Sequence, residues 1–113
     1  MEQNPYVIIR TSNAGVHIGN LVSKEAVSGG YAVKLKDSRR IWSWGGANCL
    51  NDLGINGPGK PSDCSFSQRA PYNELFAIEI LYTTEKGEKG LDSIPDWFWK
   101  DDSQPKVEQR TDL

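Results

Sequence analysis

The sequence predicts an α+β domain weighted toward β: a small antiparallel sheet or partly open barrel with one or two short helices. Two observations carry this expectation. Runs rich in β-branched and aromatic residues recur between residues 6 and 84, each bounded by Asn, Gly, Pro or Ser. Helical spacing is confined to short stretches, the clearest being Ala47, Leu50 and Leu53. The pattern fits a sheet with helices set to one side. Residues 1–100 are expected to form one β-rich domain and residues 101–113 a charged, flexible tail without a core pattern.

The elements follow in order. YVIIRT (6–11) is a β-branched run after Asn-Pro and before Ser-Asn, a strand signal. SNAG (12–15) supplies turn residues that accept positive φ. VHIGNLVS (16–23) is the next strand, with Gly19 marking a bulge or a close backbone approach. KEAVSGG (24–30) reads as a turn, and YAVKLKDSRRIWSW (31–44) as a long third strand with a bulge signal at Asp37-Ser38. GGANCLNDLGING (45–57) predicts a two-turn helix with Asn48 as N-cap and Gly54 as C-cap. CSFSQ (64–68) reads as a short strand. ELFAIEILYTT (74–84), apolar on both faces, reads as one central strand. EKGEKGLDSI (85–94) is weakly helical, with two glycines against it.

The composition excludes several classes. Net charge is −2 and mean hydropathy −0.56, so no global basic field draws the chain onto nucleic acid or anionic lipid. Cys49, Cys64 and His17 are too few for a four-ligand zinc site, and no metal or cofactor is expected. The unpaired spacing of the cysteines and the lack of a signal-like N-terminus predict a soluble, cytoplasmic protein; no apolar run is long enough to span a membrane.

No catalytic motif stands out, so the expectation is a binding protein rather than an enzyme. The third strand carries the most chemistry. In an unbulged strand its even positions, Lys36, Arg40, Trp42 and Trp44, share one face. Indoles stack flat rings, and cations, Arg39 included, pair with phosphates. Gly45, Gly46 and Asn48 follow at the mouth of the short helix, where backbone N–H groups can donate to an anion. The opposing expectation is that a bulge at Asp37-Ser38 shifts the register and places both tryptophans in the core. Trp97, Phe98 and Trp99 read as an interface segment that folds back on the sheet or docks on a second subunit. His17 faces away from Val16 and Ile18 and has no paired catalytic motif.

YVIIRTSNAGVHIGNLVS followed by RRIWSWGGANCLNDL, with AIEI at 77–80, resembles a family of small phage and prophage proteins of unknown function. The resemblance covers roughly residues 6–82. It implies a phage context, in which small non-enzymatic proteins often blunt host defence. The leading expectation is therefore a homo-oligomer that sequesters a nucleotide-type signalling molecule. A protein-binding inhibitor of a host defence enzyme or nuclease is the first rival. A nucleic-acid-binding accessory protein is the second, resting on a local charge of +3 across residues 24–44. A phosphodiesterase using His17 with Glu74 or Glu79 is the third.

Overall fold

β1 (Tyr6–Arg10) and β2 (Val16–Val27) form the expected first hairpin, running antiparallel from Tyr6↔Asn20 to Arg10↔Val16. In this computed structural model, which describes residues 4–97, the connecting turn is closed by Thr11. Its hydroxyl donates to the Gly15 carbonyl at 2.8 Å and accepts from the Ala14 amide at 2.8 Å. Gly15 takes a φ of 84°, a backbone conformation open to glycine.

The second hairpin is longer than the sequence suggests. β2 continues through Val27 and pairs to the start of β3 (Gly30–Ser43), leaving only Ser28 and Gly29 as the turn. Residues 24–27 have little strand signal of their own; their partners Gly30–Val33 supply the ladder.

β4 (Ser65–Phe66) and β5 (Ala70–Ala77) both pair with β3, β4 near its end and β5 along residues 31–38. The expected central strand over 74–84 is two elements. β5 ends at Ala77, Ile78 intervenes, and β6 (Glu79–Tyr82) pairs with β1 at the far edge. The sheet order is β4-β3-β2-β1-β6, with β5 beside β3. Because β5 and β6 belong to one continuous segment, the sheet curls toward itself. Phe76 and Ile78, expected in a covered strand, are exposed. The protein is thus α+β and mainly β, an open antiparallel sheet with two short helices, as the sequence predicts.

Two apolar cores lie on the two faces. Val7, Ile9, Leu21, Val33, Leu35 and Ala77 fill the concave side of the curl. Lys24 reaches across one end of it, donating to the Tyr82 hydroxyl at 3.2 Å, with its ammonium 5.0 Å from the Tyr31 ring centre. On the other face Tyr6, Ile8, Ile18, Ile41 and Phe66 pack beneath α1 (Leu50–Asn56) and α2 (Glu85–Asp92) through Leu53 and Leu91. Each fully buried aliphatic or aromatic side chain contributes about 1.5–3 kcal/mol relative to exposure.

The helices correct two capping expectations. Cys49, not Asn48, is the residue before α1, and Gly57, not Gly54, ends it with φ 79°. Gly54 lies inside the helix, against Ile8 and α2. Gly87 and Gly90, which weaken α2 in isolation, are what lets it approach α1. A Cβ at Gly87 would overlap the Gly54 carbonyl, and one at Gly90 would meet Gly57 at 3.2 Å. Thr84 caps α2, its hydroxyl accepting from the Gly87 amide at 2.9 Å. Among the described residues, no helix is long and apolar enough to cross a membrane.

Candidate functional site

The bulge in β3 decides where its charged and aromatic residues point. Ile18 faces Arg39 and Asn20 faces Lys36, so two residues of β3, Asp37 and Ser38, lie opposite one of β2, Gly19. Asp37 absorbs the difference at φ 55°, a left-handed conformation that Asp tolerates better than most residues. Gly19 makes room for it: a Cβ there would lie 3.1 Å from the Lys36 carbonyl and 3.2 Å from the Ser38 Cα. The close approach expected at Gly19 is therefore present.

The bulge reverses the alternation of faces. Leu35 belongs to the concave core, whereas Ile41, also odd-numbered, belongs to the core under the helices. The single even face expected from the sequence is therefore corrected. Lys36 emerges on the helix side, and Arg40 and Trp42 emerge on the opposite side.

Arg39, expected to pair with phosphates, is not available for that role. It is buried in the core under the helices, its guanidinium 5.1 Å from the Phe66 ring centre. Its Nε donates to the Ser67 carbonyl at 2.9 Å and its Nη2 to Asp96 at 3.1 Å. Burial lowers its pKa; Arg69 nearby adds to this and Asp96 opposes it. Arg69 bridges Asp92 at 2.9 Å and Asp96 at 3.5 Å. The bonds to Asp92 and the field of both carboxylates raise the Arg69 pKa. Together these bonds fasten the segment after α2 to the sheet. Asp96 bridges in parallel to Phe66, and the Trp97 amide donates to the Phe66 carbonyl at 3.0 Å.

That fastening sets Trp97 against Trp42. The ring centres lie 5.8 Å apart with planes at 73°, an edge-to-face pair. Trp42 remains 56% exposed and Trp97 43%. Arg40, two residues before Trp42, is exposed beside them. Trp97 thus folds back on the sheet of its own chain; Phe98, Trp99 and the expected tail at 101–113 lie outside the described residues.

The bulge thus shifts the register as the opposing expectation required, yet Trp42 does not enter the core. Trp44 does turn inward and packs half-buried against the core under the helices. Gly45 and Gly46 pack against the loop at 59–63. Their carbonyls accept from the Lys60 and Gly59 amides, at 3.1 and 3.3 Å, and a Cβ on Gly46 would overlap Gly59. Asn48 is exposed, and its amide already donates to Asp52 at 3.1 Å. That bond and one from Asn56 at 2.9 Å hold the Asp52 carboxyl below its usual pKa, the Asn56 contact most. Of the expected ligand residues, only Arg40 and Trp42 come together on one open face. Trp97 joins them, a partner that the bulged register and the Asp96 anchor reveal.

His17 lies on the same side of the sheet as Arg40 and Ile9, its cross-strand neighbours. It is 2% exposed, and its Nε2 meets the Ala14 carbonyl at 2.8 Å. Burial lowers its pKa, and the charge of Arg40 adds to this; the Ala14 bond opposes both. Neither carboxylate considered as its partner is near. Glu79 lies on the other face, paired with Arg10 at 2.7 Å, and Glu74 faces Lys34. Among the described residues, no three His, Cys, Asp or Glu side chains gather as a metal site.

Fold and site together define a small β-rich domain with two helices on one face and an exposed Trp–Trp–Arg patch on the other. The chain belongs to the family of the domain of unknown function DUF6948, whose model matches residues 4–91. No curated protein and no solved structure matches it.

Proposed function

We propose that this protein is a non-catalytic binding module whose contact face is Trp42, Trp97 and Arg40, and that the face engages a protein. The observation that carries the reading is the exposed edge-to-face pair of Trp42 and Trp97 with Arg40 at its side. Trp and Arg are the residue types that dominate binding energy at protein interfaces. Two such indoles, 56% and 43% exposed while Ile8, Ile9 and Phe66 are fully buried, favour a surface kept for contact over unfinished packing. In the phage setting implied by the sequence resemblance, the partner is a host defence enzyme.

Sequestration of a nucleotide is the second reading. Trp42 still offers a plane for a base and Arg40 a cation for a phosphate. With Lys36 and Arg39 directed elsewhere, one copy supplies only part of such a site. This reading therefore requires a homo-oligomer in which a second copy encloses the ligand.

One experiment separates them. The full chain and its W42A and R40E variants are presented to a host lysate, and each is examined by native mass spectrometry with a panel of cyclic and ADP-ribose nucleotides. A defined protein complex that W42A weakens by at least ~2 kcal/mol supports the protein-binding face. Retention of an intact nucleotide by an oligomer, lost in both variants, replaces it with sequestration. A protein complex that both variants keep at full strength overturns the assignment of the face.

A further inference from the structure

On the side of the sheet away from Trp42, a cleft of about 460 Å³ opens at the β3 bulge. Lys36 and Asp37 line it from β3, Asn20 from β2, Tyr6 from β1, Tyr82 from β6 and Glu88 from α2. In a regular strand, consecutive residues point to opposite faces. Here the left-handed turn at Asp37 brings both Lys36 and Asp37 to the rim of one cleft, an arrangement by which bulges re-aim side chains at sites. Gly19, with no room for a Cβ, permits that turn.

The three charged residues share a second property. Salt bridges among the described residues join Arg10 to Glu79, Arg39 to Asp96, Arg69 to Asp92 and Asp96, and Lys89 to Glu85. Lys36, Asp37 and Glu88 line the same cleft, are exposed, and enter none of the salt bridges between described residues. One cation and two anions therefore face a shared volume with their charges available. The volume falls in the range of small-molecule sites. Asn20, among the residues lining the cleft, carries an amide with donors and an acceptor.

We propose that this cleft binds a small zwitterion of the amino-acid or short-peptide class, with its carboxylate on Lys36 and its ammonium on Asp37 and Glu88. Opposite charges at the two ends of such a ligand match the signs in the cleft, whereas a simple anion would meet two carboxylates and a simple cation one ammonium. The inference is independent of the Trp42 face, because the bulge sends the two groups of residues to opposite sides of the sheet.

The test is an amide-resolved NMR titration of the full chain with the twenty amino acids and glycylglycine at millimolar concentration. Glycolate, ethylamine and N-acetylglycinamide serve as singly charged and uncharged controls. The expected result is saturable shifts for at least one zwitterion, centred on residues 20, 36, 37 and 88, that the controls do not reproduce. K36M, D37N and E88Q should each weaken that binding by about tenfold or more, since each removes a charged contact. Asn tolerates the left-handed conformation, so D37N keeps the bulge. No saturable shift from any zwitterion overturns the proposal. So does equal binding of glycolate or ethylamine, or binding that K36M and D37N both leave intact.

Discussion

Arg39 and Asp96 meet at 3.1 Å, the arginine side chain fully enclosed and the carboxylate 31% exposed. The contact joins the core of the sheet to the segment that carries Trp97. Removing the acid would leave a buried cation with the Ser67 carbonyl as its hydrogen-bond acceptor among the described residues. Breaking a fully buried pair costs about 3–5 kcal/mol, and the partial exposure of Asp96 lowers the expectation for D96A to ~2–3 kcal/mol. R39M/D96A should be less damaging than D96A alone, because Met packs on Phe66 without stranding a charge. Urea unfolding of the three proteins gives these differences. A loss below ~1 kcal/mol in D96A would show that the pair contributes little.

The crossing of α1 and α2 makes a second prediction, whose sign opposes ordinary helix propensity. Gly to Ala inside an exposed helix gains about 1 kcal/mol. At Gly87 the added methyl would overlap the backbone of Gly54, which cannot swing aside as a side chain would. G87A should therefore destabilise by several kcal/mol, beyond the ~1–3 kcal/mol of ordinary overpacking. G90A meets Gly57 at 3.2 Å, a contact that a small shift relieves, and should stay within ~1 kcal/mol of the parent. Thermal melts of the pair decide it: equal melting temperatures would mean that the helices do not cross so closely.

At the bulge, D37G should be neutral or stabilising by up to ~1 kcal/mol, since glycine takes positive φ without a Cβ penalty. D37V should lose about 1–2 kcal/mol, because a β-branched residue resists that conformation. G19A should also destabilise, pressing on the Lys36 carbonyl and the Ser38 Cα. Were D37V as stable as D37G, the left-handed turn would be absent in solution.

The alternating runs made the first hairpin, β3 and the α+β class legible, because one-sided burial writes a period of two into the sequence. Asp37-Ser38 was legible as a bulge signal, but not what the bulge would do. Whether it sends Trp42 inward or outward depends on how many residues of β2 oppose it, and that count is set by Gly19 and the partner strand. The burial of Arg39 was hidden for the same reason, since its acceptors, Ser67 and Asp96, are 28 and 57 residues away. The glycines of α2 misled in the other direction. They count against a helix in isolation and in favour of one that must touch another. The break at Ile78 left no mark because both flanking strands are apolar and only their partners, β3 and β1, differ.

His17 makes the last prediction, a dependence of stability on pH. Its Nε2 is engaged with Ala14, and its Nδ1 is buried with no partner among the described residues. Protonation would place an N–H there without an acceptor, beside the charge of Arg40. The folded chain therefore binds this proton less readily than the unfolded one, and the pKa lies below its ordinary 6.5. The sign follows: stability is at its full value above about 6.5 and declines as the pH falls from there toward the folded pKa, by about 1.4 kcal/mol per unit of depression. Asp52, also depressed, begins to matter only below its usual value near 3.8, so the two windows are separate. The melting temperature of the parent should hold above about pH 6.5 and fall as the pH drops below it, and H17N should flatten that fall. If parent and H17N decline in parallel, the imidazole is not the group responsible, and its burial in this hairpin carries no pH dependence.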